Sequence, residues 1–175
     1  MTDLFSSGDP VDLPIAGFSG EFRFLSNFWP AKVVLDGVSY PSTENAYQAA
    51  KTDGLLREPF VSCTASQSKR LGRDVAMRAD WSAVKLDVMR DLIEQKFAPG
   101  TALSAQLMAT NHRLLVEANT WGDTFWGQCN GKGHNHLGRL LMVQRSALHA
   151  QSHCLLTAER VATGPALSNS MFRFR

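Results

Sequence analysis

A short segment near residue 45 carries polar groups where a helix usually carries its apolar stripe. In "YPSTENAYQAAKT" (residues 40–52), the i, i+3, i+4 and i+7 positions are Glu44, Tyr47, Gln48 and Lys51. The helix dipole favours a carboxylate at Glu44 in the first turn and an ammonium at Lys51 near the end. Seven residues of helix rise about 10 Å, so these two charges suit flanking a ligand better than pairing with each other. The pattern indicates either the wall of a ligand site or a solvent-facing helix with well-placed charges.

A glycine-rich segment, residues 123–138, is a second candidate for ligand binding. Gly127, Gly131 and Gly133 permit positive φ and close backbone approach. Asn135 can cap the following helix, whose free N–H groups suit an anion such as phosphate. Further positive partners are Lys132, His134, His136 and Arg139. "GQCNGKGHNHLG" matches neither GxxxxGK[ST] nor GxGxxG, so the segment predicts phosphate binding without a known nucleotide motif.

Other residues of these segments admit two interpretations each. His134 and His136 are two apart and have no third ligand at a fixed spacing, so a structural or phosphate-contacting role is favoured over a metal site. Trp126 suits either stacking on a base or filling the core. Cys129 has no identifiable base beside it and is interpreted as inert. In "FLSNFWP" (residues 24–30), Asn27 suits either a turn or the orientation of a ligand.

The intervening sequence predicts the elements that position these groups. "AKVVLDGVSYP" predicts a β-hairpin about Asp36-Gly37, with a further strand at "EFRFL", and Ser42 can cap the helix of residues 43–52. Thr64 and Gln67 have the spacing of a capping box, and Gly72 is expected to weaken or bend that helix. The remaining predictions are helices over residues 82–97, over "TALSAQLMAT" and from about His136, and a strand at "RLLVEA".

Length and composition favour one globular domain. The 175 residues are 44% hydrophobic, enough for a core without disulfides or metals. A net charge of +2 argues against bulk nucleic-acid binding through a large basic face. Cys63, Cys129 and Cys154 form neither a disulfide framework nor a CxxC pair. Without a secretory pattern or a long apolar run, we expect a cytoplasmic protein.

Several multi-residue motifs together resemble the NADAR superfamily, whose bacterial members include the YbiA-like proteins. They occur in the expected order between about residues 22 and 145: "FLSNFWP", "YPSTENAYQAAK", "KRLGRDVAMRADW", "VMRDLIEQKF", "LLVEA", "DTFWG" and "GKGHNHLGRLLMVQR". The resemblance implies a mainly α single domain with a small antiparallel β element (α+β), of YbiA-like type, over residues 18–155. Residues 1–17 are then a flexible leader and residues 156–175 a C-terminal tail.

The resemblance also implies a chemistry, N-glycosidase cleavage of a ribose C1–N bond, with no cofactor. Positive charge builds on C1 as that bond breaks, so Glu44 is expected to stabilise the transition state. A desolvated Lys51 is expected to attack C1 and form an imine. Asp123 is expected to orient ribose hydroxyls or carry a proton. Substrate is expected to contact Asn27, Trp29, Tyr47, Gln48, Arg73, Trp126, Gly127, Gly133, Asn135 and Gly138, with Gly133 and Asn135 at phosphate.

The resemblance leaves the substrate open. ADP-ribosylated guanine in nucleic acid would use the glycine-rich segment and the arginines at 70, 73 and 78. An ADP-ribosyltransferase would then be the functional partner that creates this substrate. A phosphorylated aminoribosyl intermediate of riboflavin synthesis needs only one phosphate subsite. A module that binds ADP-ribose without hydrolysing it would use the same residues except Glu44 and Lys51. A structural or partner-binding role through the helix of residues 82–97 is the fourth alternative.

Overall fold

The computed structural model describes residues 13–162, with side chains to residue 155. Residues 1–12 of the predicted leader and 163–175 of the predicted tail lie outside the described residues. In chain order the strands and α-helices are β1 (Ile15–Ala16), β2 (Pro30–Leu35), β3 (Val38–Ser42), α1 (Thr43–Ala49), α2 (Pro59–Ser62), α3 (Ala65–Asp74), α4 (Trp81–Lys96), α5 (Ala102–Met108), β4 (Leu115–Val116), β5 (Ala118–Asn119), β6 (Gln128–Cys129) and α6 (His136–Ala162). The 3₁₀ helices are Gly20–Leu25 and Gly54–Arg57. The fold is therefore α+β and mainly helical, as predicted.

The predicted hairpin is confirmed. Strands β2 and β3 pair antiparallel, and Asp36 and Gly37 between them have φ of 48° and 79°, as a type I′ turn requires. The strand predicted at "EFRFL" is wrong, because this segment forms a 3₁₀ helix. Phe24 and Leu25 are consecutive and both buried, whereas a strand would point them to opposite faces.

Two parallel strand pairs were not predicted. β1 pairs with β4 through Ile15 and Leu115, and β5 pairs with β6 through Ala118 and Gln128. β4 lies within the strand predicted at "RLLVEA", whereas the other three strands, of two residues each, are too short for a periodicity signal. Ile15 is buried, so residues 15 and 16, which the sequence places in the leader, pack against the rest of the fold.

The predicted helices are confirmed, although α1 ends at Ala49 and not at residue 52. Thr64 forms the capping box with Gln67 at the start of α3, and Thr101 caps α5. Helix α4 buries the stripe of Met89, Leu92 and Ile93. Within the described residues, no helix combines the length and apolar character needed to cross a membrane.

Helix α1 lies at the centre of the fold. It contacts α3, α4 and both strands of the hairpin, and all of its residues are buried. Ser42 caps it by accepting a hydrogen bond from the Asn45 backbone N–H at 3.2 Å. Ala46 and Ala49 are fully buried on one side, where small side chains permit close packing. Burial of the opposite, polar face excludes the alternative of a solvent-facing helix.

Candidate active site

The polar face of α1 forms one wall of a cavity of about 750 Å³. The lining residues are Gly17, Phe18, Ser19, Arg23, Ser26, Asn27, Phe28, Glu44, Tyr47, Gln48, Lys51, Lys69, Trp81, Lys85, Met89, Glu117, Ala118, Trp121, Asp123, Phe125, Trp126 and Leu137. Seven of the thirteen predicted site residues are therefore brought together: Asn27, Glu44, Tyr47, Gln48, Lys51, Asp123 and Trp126. Such a volume is within the range of small-molecule and cofactor sites.

Glu44 is held in place by its own helix. Its side chain is 94% buried by accessible area (6% exposed), and its Oε1 accepts a 2.8 Å hydrogen bond from Gln48 Nε2, one turn later. Burial raises the pKa of Glu44, while the hydrogen bond from Gln48 and the charges of Lys69 and Lys51 act in the opposite direction. The carboxylate is thus oriented in a site of low polarity, where its charge acts strongly on a nearby cation.

Gly72 of α3 makes room for this arrangement. A Cβ at Gly72 would lie 1.9 Å from Gln48 Oε1 and 3.1 Å from Gln48 Cβ. The sequence predicts that Gly72 weakens or bends its helix, but α3 continues past it to Asp74. Its role is close helix packing, because any larger residue would displace the Gln48 amide that orients Glu44.

Lys51 follows the C-terminal end of α1. Its Nζ donates a 2.9 Å hydrogen bond to the Gly72 backbone oxygen, so the amine is held at the cavity wall. Burial lowers the pKa of Lys51, Glu44 opposes that shift, and Lys69 and Arg73 add to it. A lowered pKa increases the fraction of neutral amine, which is the nucleophilic form.

Asp123 lines the cavity from the segment between β5 and β6, where a turn fixes it. Its Oδ1 accepts hydrogen bonds from the backbone N–H groups of Phe125 and Trp126, at 3.1 and 2.9 Å. The Asn119 side chain donates a hydrogen bond to the Asp123 backbone oxygen at 2.7 Å and accepts one from the Asp123 backbone N–H at 3.1 Å. The carboxylate and the Trp126 ring are therefore positioned by the same few residues.

Aromatic rings join α1 to the segment that carries Asp123. Tyr47 lies 5.1 Å from Trp81 and 5.4 Å from Trp126 between ring centroids, the latter in edge-to-face geometry. Burial raises the pKa of the Tyr47 phenol, which keeps it neutral. Asn27 is buried, and its Oδ1 has no hydrogen-bond partner among the described residues. Since a buried acceptor without a partner is costly, Asn27 has capacity to bind a ligand donor.

Cations lie around the cavity at positions that the sequence did not single out. Lys69 Nζ lies 5.5 Å from the Phe28 ring centroid and 5.4 Å from that of Trp121. Lys85 Nζ lies 3.8 Å above the Phe125 ring, and Arg23 lines the cavity from the 3₁₀ helix. Arg23, Lys69 and Lys85 therefore offer contacts to an anionic ligand in a cavity that also holds the carboxyl groups of Glu44, Glu117 and Asp123.

Six predicted substrate-binding residues do not line the cavity: Trp29, Arg73, Gly127, Gly133, Asn135 and Gly138. Trp29 packs against the hydrophobic core, and Arg73 is exposed on α3. The three glycines make close backbone contacts: a Cβ would lie 2.1 Å from the Glu117 oxygen at Gly127, 2.3 Å from the Gly127 oxygen at Gly133 and 2.2 Å from the Leu115 oxygen at Gly138.

Asn135 differs from its expected role as a helix cap at a phosphate site. Its Oδ1 accepts from the Glu117 backbone N–H at 3.0 Å, and its Nδ2 donates to the Leu115 oxygen at 2.8 Å. Both polar groups therefore attach the glycine-rich segment to β4. The basic side chains that line the cavity, Arg23, Lys51, Lys69 and Lys85, come from other elements.

The sequence also missed two lining residues that carry specific chemistry. Glu117 reaches the cavity from between β4 and β5, and Trp81 reaches it from the first residue of α4. A carboxylate in the apolar run "LLVEA" was the available signal for Glu117. For metals, the described residues contain no group of three or more His, Cys, Asp or Glu side chains placed to hold an ion.

Comparisons with known proteins show the family of this chain. The NADAR domain model matches residues 17–149. N-glycosidase YbiA of Escherichia coli (strain K12) is 39% identical over 137 residues, covering 74% of this chain and 84% of that protein. The N-glycosidase of Nostoc punctiforme is 33% identical over 132 residues, covering 71% of this chain and 84% of that protein.

A longer relative carries a different name. A riboflavin biosynthesis protein of Vibrio vulnificus is 39% identical over 130 residues, which are 71% of this chain but only 35% of that protein. The solution NMR structure of E. coli YbiA superimposes with a TM-score of 0.72 at 34% sequence identity, covering 81% of this chain and 88% of that one. By the extent of the domain match and by its fold, the chain belongs to the NADAR domain family.

Proposed function

We propose that this protein is an N-glycosidase that hydrolyses the ribose C1–N bond of ADP-ribosylated guanine and so removes ADP-ribose from nucleic-acid bases. The observation that carries the proposal is that Glu44, Lys51 and Asp123 line a single cavity. Two relatives are named N-glycosidases, which supports the reaction type. The nucleic-acid substrate is proposed from the size and charge of the cavity.

Glu44 stabilises the charge that develops during bond cleavage. As the C1–N bond breaks, positive charge spreads over C1 and the ring oxygen, and a fixed carboxylate in a site of low polarity stabilises it electrostatically. The hydrogen bond from Gln48 fixes the Glu44 carboxylate before the reaction, so little reorganisation is needed. Asp123 lines the same cavity and is assigned to the ribose hydroxyls.

Lys51 provides the nucleophile. The lone pair of neutral Nζ forms a bond to C1 while the electron pair of the C1–N bond leaves with the base, which takes up a proton. The ring oxygen then accepts the proton released from Nζ as the sugar opens to an imine. Water adds to the imine and releases the free sugar and Lys51. The lowered pKa of Lys51 supports this role, because it raises the neutral fraction near pH 7.

The size and charge of the cavity support an ADP-ribosyl group over a smaller sugar phosphate. A cavity of about 750 Å³ accommodates a ligand of nucleotide size. Arg23, Lys69 and Lys85 offer positive charge to a diphosphate, while Lys51 lies at the reacting centre. The exposed Trp121 beside Lys69 offers a stacking surface to a base. The modified nucleic acid is then the partner, and an ADP-ribosyltransferase is the enzyme that creates the substrate.

A second candidate substrate has support from the relatives' names. Riboflavin biosynthesis proteins of V. vulnificus and Zea mays match 71% and 73% of this chain. A phosphorylated aminoribosyl pyrimidine presents the same C1–N bond and one phosphate, which Lys69 alone can bind. The chemistry of Glu44 and Lys51 is the same for both substrates.

The test is a direct comparison of the two substrates. Purified protein is incubated with an oligonucleotide carrying ADP-ribosylated guanine and, separately, with the riboflavin-pathway phosphoribosylamine, and products are identified by mass spectrometry. We expect release of ADP-ribose with recovery of unmodified guanine. Turnover of the small compound alone would contradict the nucleic-acid substrate and indicate hydrolysis of a metabolite. Binding of the oligonucleotide with no product from either would indicate a binding module and contradict the enzyme proposal.

A further inference from the structure

We propose that Glu117 is the acid that protonates the departing nitrogen, an assignment that rests on the proposed N-glycosidase function and adds a third carboxyl to its chemistry. When an amine of a base leaves C1, the nitrogen receives the electron pair of the broken bond and needs a proton to leave as a neutral group. Neither Lys51, which must be neutral to attack, nor an ionised Glu44 supplies that proton.

The backbone of Glu117 is fixed on both sides. Its N–H donates to Asn135 Oδ1 at 3.0 Å, and its oxygen accepts from the Gln128 N–H at 2.8 Å. The absence of a Cβ at Gly127 allows this close approach, since a Cβ there would lie 2.1 Å from the Glu117 oxygen. The glycine-rich segment therefore anchors Glu117 in the wall of the cavity.

The Glu117 carboxyl group has an unused oxygen. Oε2 is buried and has no hydrogen-bond partner among the described residues, although the side chain lines the cavity. The ion pairs within the described part of the chain do not include Glu117. Burying a carboxylate oxygen without a hydrogen-bond partner costs free energy. A protonated carboxyl group that donates a hydrogen bond to a ligand nitrogen avoids that cost.

The surrounding charges favour the protonated form. Burial and then the neighbouring Asp123 raise the pKa of Glu117, Glu44 raises it further, and Lys69 and Lys96 oppose the shift, leaving it at about 7. Lys96 does not pair directly with Glu117, because its Nζ donates to the Ser26 oxygen at 2.7 Å. Burial lowers the pKa of Lys96 itself to about 7, which weakens its opposition.

Two glutamates in one cavity thus receive opposite roles. Burial raises the pKa of Glu44, but the hydrogen bond from Gln48 and the nearby Lys69 and Lys51 oppose that shift and favour its carboxylate. Glu117 lacks such a hydrogen bond at Oε2 and has two carboxylates nearby. Two carboxyl groups in different environments have different pKa values, so one can supply a proton while the other supplies a stabilising negative charge.

The proposed step conserves atoms and charge. The Glu117 proton moves to the leaving nitrogen as the C1–N bond breaks, and Lys51 forms the new bond to C1. The water that later hydrolyses the imine provides the oxygen of the released sugar. A proton from that water returns to Glu117, so the net reaction is hydrolysis and the enzyme is regenerated.

The first test uses two substrates that differ only in the leaving group. One is ADP-ribosylated guanine, and the other is ADP-ribose carrying 4-nitrophenoxide at C1 in the same configuration, whose leaving group departs without a proton. Glu117→Gln preserves shape and removes the acid. We expect it to lower kcat/KM on the guanine substrate by about 10²-fold or more, and on the nitrophenyl substrate by less than about tenfold.

Equal losses on both substrates, or no loss on either, would overturn the assignment. A wild-type protein inactive on both would instead contradict the proposed function, since Glu117 is not altered in it. The exposed Glu94→Gln is the matched control and should leave both rates unchanged. Thermal unfolding of Glu117→Gln checks that any loss is not a loss of fold.

Two further measurements do not depend on the nitrophenyl substrate. The kcat/KM of the wild type on the guanine substrate should fall as the pH rises through about 7, and this alkaline fall should be absent in Glu117→Gln. Carbon-13 NMR titration of labelled glutamate carboxyls should show a resonance with a midpoint near pH 7 that disappears in the variant. A Glu117 midpoint below pH 5, or an unchanged alkaline limb, would contradict the proposal.

Discussion

Lys51 Nζ donates a hydrogen bond to the Gly72 backbone oxygen at 2.9 Å, which links the turn after α1 to the last turn of α3. The same glycine leaves the space that the Gln48 side chain occupies. One residue of α3 therefore sets the positions of the amine and, through Gln48, of the Glu44 carboxylate. This relationship explains why a glycine lies inside a helix although glycine has a low helix propensity.

Lys51→Ala should abolish covalent trapping of substrate. Borohydride reduces an imine to a stable amine, so wild-type protein incubated with substrate and borohydride should gain mass, and the variant should not. The trapping rate should rise with pH with a midpoint below the usual lysine pKa, because burial lowers the pKa of Lys51. The exposed Lys32→Ala is the control. An adduct of undiminished yield in Lys51→Ala would exclude Lys51 as the nucleophile.

Asp123→Asn separates the charge of Asp123 from its role in the turn. An asparagine oxygen can still accept from the Phe125 and Trp126 N–H groups, so we expect unfolding within a few degrees of wild type but kcat/KM lower by about tenfold or more. Asp123→Ala should lose both activity and stability. The exposed Asp91→Asn provides the control. Full activity in Asp123→Asn would show that the carboxylate charge is not required.

Lys69→Met should weaken binding of phosphorylated substrate more than it slows the reaction. Methionine keeps the apolar stem between Phe28 and Trp121 but removes the charge, so KM should rise about tenfold, with a smaller change in kcat. The difference from wild type should shrink at high salt, because ions screen the attraction. The same KM in both proteins, with Lys32→Met as the control, would exclude Lys69 as an anion contact.

Gly133→Ala should destabilise the fold more than Gly131→Ala. Both glycines have positive φ, but a Cβ at Gly131 has no atom within 4 Å, whereas one at Gly133 would lie 2.3 Å from the Gly127 oxygen. We expect a loss of about 1 kcal/mol at Gly131 from backbone strain and about 1–3 kcal/mol more at Gly133 from overpacking. Urea unfolding measures both. Equal losses would show that the close contact does not matter.

The sequence was sufficient to predict the parts of the site that lie on one continuous helix. Glu44, Tyr47 and Gln48 share a cavity because helical spacing determines their common face, and Lys51 joins them from the turn that follows α1. The hairpin turn and the capping box were likewise local features with specific residue preferences. Local patterns of this kind require no knowledge of the rest of the fold.

Local patterns of this kind do not predict which distant segments contact each other. Gly133 and Asn135 have the composition of a phosphate loop, but their close contacts and hydrogen bonds are with the protein itself, and only the path of the chain shows that. Lys69 lies at the cavity because α3 packs on α1, and Glu117 lies there because β4 pairs with β1. Two-residue parallel strands leave no periodicity from which this placement can be predicted.

The most direct test of the central claim compares the wild type with Glu44→Gln on an oligonucleotide containing ADP-ribosylated guanine. Mass spectrometry follows both the free ADP-ribose and the recovered guanine, while circular dichroism and substrate binding confirm the fold of the variant. We predict that the wild type releases both products in equal amounts and that Glu44→Gln, which keeps the shape of the side chain without its charge, is slower by about 10²-fold or more. A variant within a few-fold of the wild type, or a wild type that binds the oligonucleotide and leaves it modified, would contradict N-glycosidase catalysis at this cavity.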